Sequence, residues 1–273
     1  MAALILVAAT ETIGSVLDLA QSLKLERGQY LIRLARTKEE IDDALKLRFA
    51  VFNIELGEGL AKSFANGKDE DAFDGECEHA ILIDRLTNQT VGTCRLRNYD
   101  RASADSGFYS SMKFNLRDLG ITVLENSAEF GRACIAKSHR NKDSLKLLLL
   151  FLSEYSARNQ KRYLFGCCSM NSQDPLVGGQ LFDWLYRSGH VHAELRVIPR
   201  PGSKCISYKT SHASSFRILP SSLHTYLKLG AKVCGMPALD REFRTIDFFT
   251  IFDLHEIEWR NFFATSTVVI ANS

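Results

Sequence analysis

Residues 125–170 read ENSAEFGRACIAKSHRNKDSLKLLLLFLSEYSARNQKRYLFGCCSM, and the fold turns on how this stretch divides. Residues 127–136 are mostly small or apolar and predict a strand, interrupted by Glu129 and Arg132. A polar turn follows over 137–143. Leu145, Leu148, Leu149 and Leu152 then fall at i, i+3, i+4, i+7, the period of a helix. Leu147, Leu150 and Phe151 fill its other sides, so the helix is expected to be buried nearly all round. The apolar and cysteine-containing run 163–170 predicts a second strand and completes a β-α-β unit. Ionisable residues inside the first strand of such a unit are costly unless paired. Glu129 and Arg132 therefore form either a structural ion pair or part of a site.

The rest of the chain sets the frame. Its 273 residues suffice for one large domain, and a hydrophobic fraction of 45% with 24% charged residues is that of an ordinary globular protein. A net charge of +2 gives no argument for nucleic acid. Seven cysteines show no CxxC pair and no ligand spacing with histidine, and most lie in apolar runs. That pattern predicts free thiols in a reducing, cytoplasmic setting without structural zinc. Residues 2–9 are apolar but too short for a membrane span and lack the basic flank of a signal peptide. Residues 13–23 carry a loose helical period. Residues 1–29 are thus expected to be a helical or flexible extension, either docking on the domain or anchoring at an interface.

From residue 30 the elements alternate. A short strand is predicted over 30–35, then a helix over 38–53 that Thr37 caps, with Glu40 completing a capping box. Arg48 lies beside that helix's apolar stripe, either snorkelling or buried as a functional cation. Residues 55–76 are rich in Gly, Asp and Glu without a period, as in a lid or binding loop, and hold Asp71 and Asp74. Strands follow over 79–84 and 90–98, and period 2 puts Arg95 and Arg97 on one face of the second. That face is either a solvated edge or an anion clamp. Beyond the central unit, Asp174 and Pro175 open a helix that Gly189 closes. A strand is predicted over 190–198, a short helix after Pro220 and a strong strand over 246–254. The expectation is a single mixed α/β domain over 30–273.

Together, LKLRFAVF (residues 45–52), DEDAFDGECEHAILID (69–84), VGTCRLR (91–97), SAEFGRACI (127–135), YLFGCCS (163–169) and LPSSLHTYLKLGAKVCGMPALD (219–240) carry a resemblance. Their order and spacing resemble the ornithine lipid-type N-acyltransferases, the hemolysin-like branch of the GNAT superfamily, which are similar in turn to the acyl-homoserine-lactone synthases. The resemblance implies a GNAT-like fold, a mixed central sheet flanked by helices. It also implies transfer of a 3-hydroxyacyl chain from acyl carrier protein, as co-substrate and partner, to the α-amine of ornithine. Glycine or glutamine as acceptor, an acyl-homoserine-lactone synthase, and a non-catalytic membrane-interacting module stand as alternatives. No bound cofactor or metal is implied; peripheral contact with the inner membrane stays open.

Carried over by position, the resemblance makes Glu129 and Arg132 catalytic and Arg48, Phe52, Asp71, Asp74 and Arg95 substrate-binding. The donor would lie against Ala133, Ile135, Arg140 and Asn141. One departure bears on that donor. The turn before the central helix, residues 139–144, contains no glycine, whereas acetyl-CoA enzymes of this superfamily use a Gly-rich turn there to cradle a pyrophosphate. A phosphopantetheine carried on a protein presents one phosphodiester, for which a poorer cradle suffices. The chemistry needs a base for the α-ammonium, aimed donors for the oxyanion and arginines for the acceptor carboxylate. Strict alternation puts Glu129 and Arg132 on opposite faces, so a shared site requires a β-bulge between them. Basic residues at both ends of the central helix, 140–146 and 158–162, either complement the helix dipole or dock an acidic carrier.

Overall fold

A computed structural model describes residues 23–99, 107–206, 219–256 and 269–270. The expected helical period at 13–23 lies outside the described residues, apart from Leu23. The described residues form twelve strands: β1 Lys24–Arg27, β2 Tyr30–Leu34, β3 Glu78–Asp84, β4 Gln89–Asn98, β5 Phe114–Asn115, β6 Ser127–Ile135, β7 Tyr163–Met170, β8 Ile198–Pro199, β9 Lys232–Val233, β10 Ala238–Asp240, β11 Thr245–Asp253 and β12 Val269–Ile270. Ten belong to one sheet, in the order β10-β11-β7-β6-β4-β3-β2-β1-β12, with β9 on β11. Lys24–Arg27, assigned from sequence to the N-terminal extension, is instead a sheet strand, paired with β2 on one side and β12 on the other.

The quoted stretch forms β6, the central helix Lys142–Arg158 and β7, with β6 and β7 parallel. The helix covers one face of the sheet, where Leu147, Leu148, Phe151, Leu152 and Tyr155 pack against Leu82, Cys94, Leu96, Ala128, Phe130 and Leu164. It is not buried all round: Leu145 is 37% exposed and lines a cavity. The opposite face carries the first helix, Lys38–Arg48, on Ile81 and Ile83 through Ala44. Thr37 caps that helix by accepting from the Glu40 N–H, as expected, but Glu40's own carboxylate is held mainly by Arg33 at 2.6 Å. The expected continuation to residue 53 is wound as a π-helix, Phe49–Glu55, a form common beside functional sites.

One further expectation fails, and so does one of the two readings of the Arg95–Arg97 face. Residues 190–198 are not a strand, apart from an isolated bridge at Val191 and the start of β8. Their apolar residues, such as Leu195 and Val197, fill a local cluster with Phe108 and Phe114 instead. Arg95 and Arg97 lie on no edge: β4 sits between β3 and β6, and both side chains are buried. Among the described residues, no helix is long and apolar enough to cross a membrane.

Candidate active site

The parallel β6–β7 ladder is short. It pairs only Ser127, Ala128 and Glu129 with Tyr163, Leu164 and Phe165. At Gly166 the strands still approach so closely that a Cβ would stand 2.3 Å from the Phe130 carbonyl oxygen. Beyond this point they diverge, and β6 has no ladder partner in β7. A cavity of about 1330 Å³ opens at the divergence. Its wall holds Val51 and Phe52 from the π-helix, Arg95, the β6 segment from Glu129 to Ile135, Arg140 and Asn141, and Ser169 and Asp247 further along.

The bulge that a shared site requires is present. The β4–β6 register passes from Thr93↔Cys134 to Arg95↔Gly131, so β6 carries one extra residue there. Arg132 takes up the distortion with φ +51°, uncommon for a residue with a side chain. Its guanidinium lies 4.9 Å from the Tyr109 ring centroid and 4.2 Å from that of Phe243, a cation–π arrangement.

Glu129 and Arg132 nevertheless do not pair. Glu129 is buried and accepts from the Tyr109 N–H at 2.7 Å, the Ser110 N–H at 2.7 Å and the Ser110 hydroxyl at 2.5 Å. Burial raises its pKa; the Ser110 and Tyr109 hydrogen bonds and the Arg95 charge oppose that rise. Of the two readings, the structural ion pair between Glu129 and Arg132 is therefore absent.

Arg132 belongs to a closed ring of ion pairs. Arg48 holds Asp69 and Asp74 (2.6 Å); Arg95 holds Asp74 (3.0 Å) and Asp71 (2.6 Å); Arg132 holds Asp71 (2.9 Å) and Asp69 (3.1 Å). Each carboxylate bridges two guanidiniums, so three largely buried cations and three largely buried anions cancel. Burial opposes the charge on Asp71 and Asp74, but the adjacent arginines more than offset it and lower both pKa values. Among the described residues, no cluster of His, Cys, Asp and Glu is placed to hold a metal ion.

The ring sorts the residues proposed from sequence. Arg95, Arg132 and Phe52 reach the cavity wall; Arg48, Asp71 and Asp74 do not. Those three are instead engaged in the ring beneath the wall, with one another and with Asp69, Arg95 and Arg132. Arg95 gives only Nη1 to the aspartates, which leaves Nε and Nη2 without hydrogen-bond partners among the described residues. Asp69, which sequence reading passed over, is as central as Asp71. Its signal was present in the cluster Asp69, Asp71, Asp74. Tyr109 and Ser110 had no such signal, because their relation to Glu129 exists only across the fold.

Of the donor-side residues, Ala133, Ile135, Arg140 and Asn141 all line the cavity. Two are already engaged. Arg140 pairs with Glu55 at 2.5 and 2.8 Å and donates to the Ile135 carbonyl. Asn141 caps the central helix by accepting from the Asp143 and Ser144 N–H groups, both at 3.0 Å. At the other end of that helix, Lys161 is buried and donates to the Glu125 carbonyl, so it is no docking residue.

A mixed sheet whose central parallel pair parts over a cavity, with a capped helix facing the gap, is a GNAT-like fold. The acetyltransferase (GNAT) domain family matches residues 47–150. Among curated relatives, the L-ornithine N(alpha)-acyltransferase of Rhizobium meliloti is 29% identical over 84% of this chain and 81% of its own length. That of Agrobacterium fabrum is 26% identical over 84% and 82%. Among solved structures, FeeM, an N-acyl amino acid synthase from uncultured soil microbes, superposes with a TM-score of 0.52 at 12% identity, covering 86% of this chain and 97% of that one.

Proposed function

We propose that the chain transfers a 3-hydroxyacyl group from acyl carrier protein to the α-amine of ornithine, giving lyso-ornithine lipid. The observation that carries the reading is the meeting of Glu129, Arg95 and Arg132 in one cavity where β6 and β7 part. The ornithine acceptor is supported by the names of the curated relatives. In the reaction the α-ammonium loses a proton to Glu129, directly or through one water. The free amine attacks the thioester carbonyl, the C–N bond forms, the C–S bond breaks, and the thiolate leaves to be protonated. Backbone N–H groups on the unpaired edge of β6 suit the oxyanion, and the acceptor carboxylate lies against the open nitrogens of Arg95. No covalent enzyme intermediate is needed.

The carrier-protein donor draws support from the helix cap. The first N–H groups of the central helix already serve Asn141, so the usual cradle for a pyrophosphate is closed by the chain's own side chain. Lys137 and Lys142 stand exposed at the same end, where an acidic carrier would meet them. Reversing both charges, with Lys137→Glu and Lys142→Glu, should raise KM for the carrier-protein thioester several-fold and make it less sensitive to salt, with kcat little changed. A kcat/KM for the matched acyl-CoA equal to that for the carrier thioester would overturn this donor.

The decisive experiment incubates the protein with 3-hydroxyacyl carrier protein and a panel of amino acids, and identifies the product by mass spectrometry. Acylornithine as the dominant product is expected; acylglycine, acylglutamine, a lactone or no product at all would reject the reading. Arg95→Lys keeps the charge and loses the planar fork. Its expected effect is a rise of about tenfold in the acceptor's KM, with a smaller change in kcat. An unchanged KM would take Arg95 out of carboxylate binding.

A further inference from the structure

The cavity is electrically lopsided. Arg95 and Arg132 stand near β6, while Asp240 and Asp247 line the wall at the far side of β7, with Glu58 across from them. Asp240 is matched by Lys113 at 2.7 Å. Among the described residues Asp247 has no such cation in ion-pair contact. Its Oδ1 accepts from the Ser169 hydroxyl at 2.7 Å and the Thr245 hydroxyl at 3.0 Å. Its Oδ2 has no hydrogen-bond partner among the described residues, although Asp247 is only 3% exposed and lies in the cavity wall. A carboxylate buried this deeply is costly unless a cation reaches it. Burial first, and then the neighbouring Asp240, push its pKa up to about 6, so the position has room for one more positive charge.

Its location relative to Glu129 follows from register. Glu129 pairs with Phe165, and Ser169 pairs with Asp247, so Glu129, Phe165, Cys167, Ser169 and Asp247 share one face of the sheet. The Ser110 hydroxyl touches both Glu129 and the Cys167 sulfur, at 2.5 and 3.4 Å. The two acids thus lie along one wall of the same cavity, with β7 between them.

We propose that Asp247 is the residue that selects a cationic acceptor side chain, its Oδ2 taking the δ-ammonium of ornithine while the α-amine faces Glu129. This rests on the ornithine reading above and adds what the cavity distinguishes. An acceptor with a neutral side chain leaves Asp247 buried without its partner. A δ-ammonium neutralises it and gains a charge-assisted hydrogen bond at a carboxylate that is itself buried.

The test compares L-ornithine with L-norvaline, which has the same carbon chain without the δ-amine, in wild type and Asp247→Asn. Asparagine keeps the shape and an oxygen for Ser169 and Thr245. The wild type should favour ornithine by about 100-fold in kcat/KM, a charged hydrogen bond's worth, and the variant should bring that ratio near unity, mainly through KM. Equal losses on both acceptors would assign Asp247 to the reaction itself or to the fold and overturn the proposal alone. A wild type that acylates norvaline as readily as ornithine would overturn the ornithine reading and this proposal together.

A measurement on the wild type covers the case in which the variant does not fold. The ornithine-to-norvaline ratio should fall as pH is lowered through about 6, because Asp247 must be ionised to hold the ammonium. The groups facing Asp247 are Asp240 and Lys113, Glu58, Tyr109, Cys167, Cys168 and Cys205. The three cysteines and Tyr109 have pKa values raised by burial and stay neutral in that range. Glu58 also has a raised pKa, so Glu58→Gln is measured in parallel. A ratio independent of pH, or a dependence that disappears with Glu58→Gln, overturns the assignment to Asp247.

Discussion

Glu129→Gln is expected to lower kcat by about 10²–10⁴-fold, the range typical for loss of a general base. The substitution keeps the shape, and its amide oxygen can still accept from the Ser110 N–H and hydroxyl. The amide nitrogen then faces the Tyr109 N–H, donor against donor, at a cost of roughly 1–3 kcal/mol in stability. Activity and stability therefore part company: a protein that melts only modestly lower should be almost inactive. The pH profile supplies a second readout. The base works ionised, and burial raises its pKa, so wild-type kcat/KM should fall on the acid side as Glu129 takes up its proton. That limb should be missing from the residual activity of Glu129→Gln. A variant that melts far lower but turns over normally at low temperature would make Glu129 an anchor for the Tyr109–Met112 turn and leave the base elsewhere.

Arg48→Met should be the most destabilising single change at the site, although Arg48 does not line the cavity. Methionine fills much of the space but leaves Asp69 and Asp74, 0% and 4% exposed in their side chains, each one cation short. Removing one partner of a buried ion network costs about 3–5 kcal/mol. For a domain of this size that amounts to a fall on the order of 10 °C in Tm. Activity should drop as well, because Arg95 and Arg132 are positioned by the same aspartates. The ring also sets an acid limit. Asp71 and Asp74 have pKa values below the usual carboxylate range, so their contribution is complete above about pH 4 and is lost as pH falls below it. Arg48→Met should flatten that dependence. Calorimetry across pH, showing wild-type melting unaffected below pH 4 or Arg48→Met melting with wild type, would sink the account of the ring as the support beneath the cavity.

Much of the frame was legible because it is local. The period of Leu145, Leu148, Leu149 and Leu152, the apolar run of β7 and the Asp174–Pro175 helix start each report on the conformation of a few neighbouring residues. Glu129 and Arg132 stood out because charges are expensive in a buried strand, and that expense is visible without coordinates. The demand for a bulge between them followed from strand alternation alone, and Arg132 meets it with a positive φ. Partnership was not legible. Whether Glu129 meets Arg132 or the Tyr109–Ser110 backbone depends on which loop closes over the sheet, a contact 19 or 20 residues away in sequence. Arg48 and Asp74, taken from sequence as substrate contacts, and Asp69, not taken at all, form one neutral ring only because the first helix, the 69–76 loop, β4 and β6 converge. Nothing in the sequence sets Asp247 apart within the apolar run 246–254. Sequence determined where charge would be buried in this protein; the tertiary structure decided which of those charges neutralise one another and which, like Asp247, still face the cavity without a cation, because electrostatic pairing depends on distance through space and not along the chain.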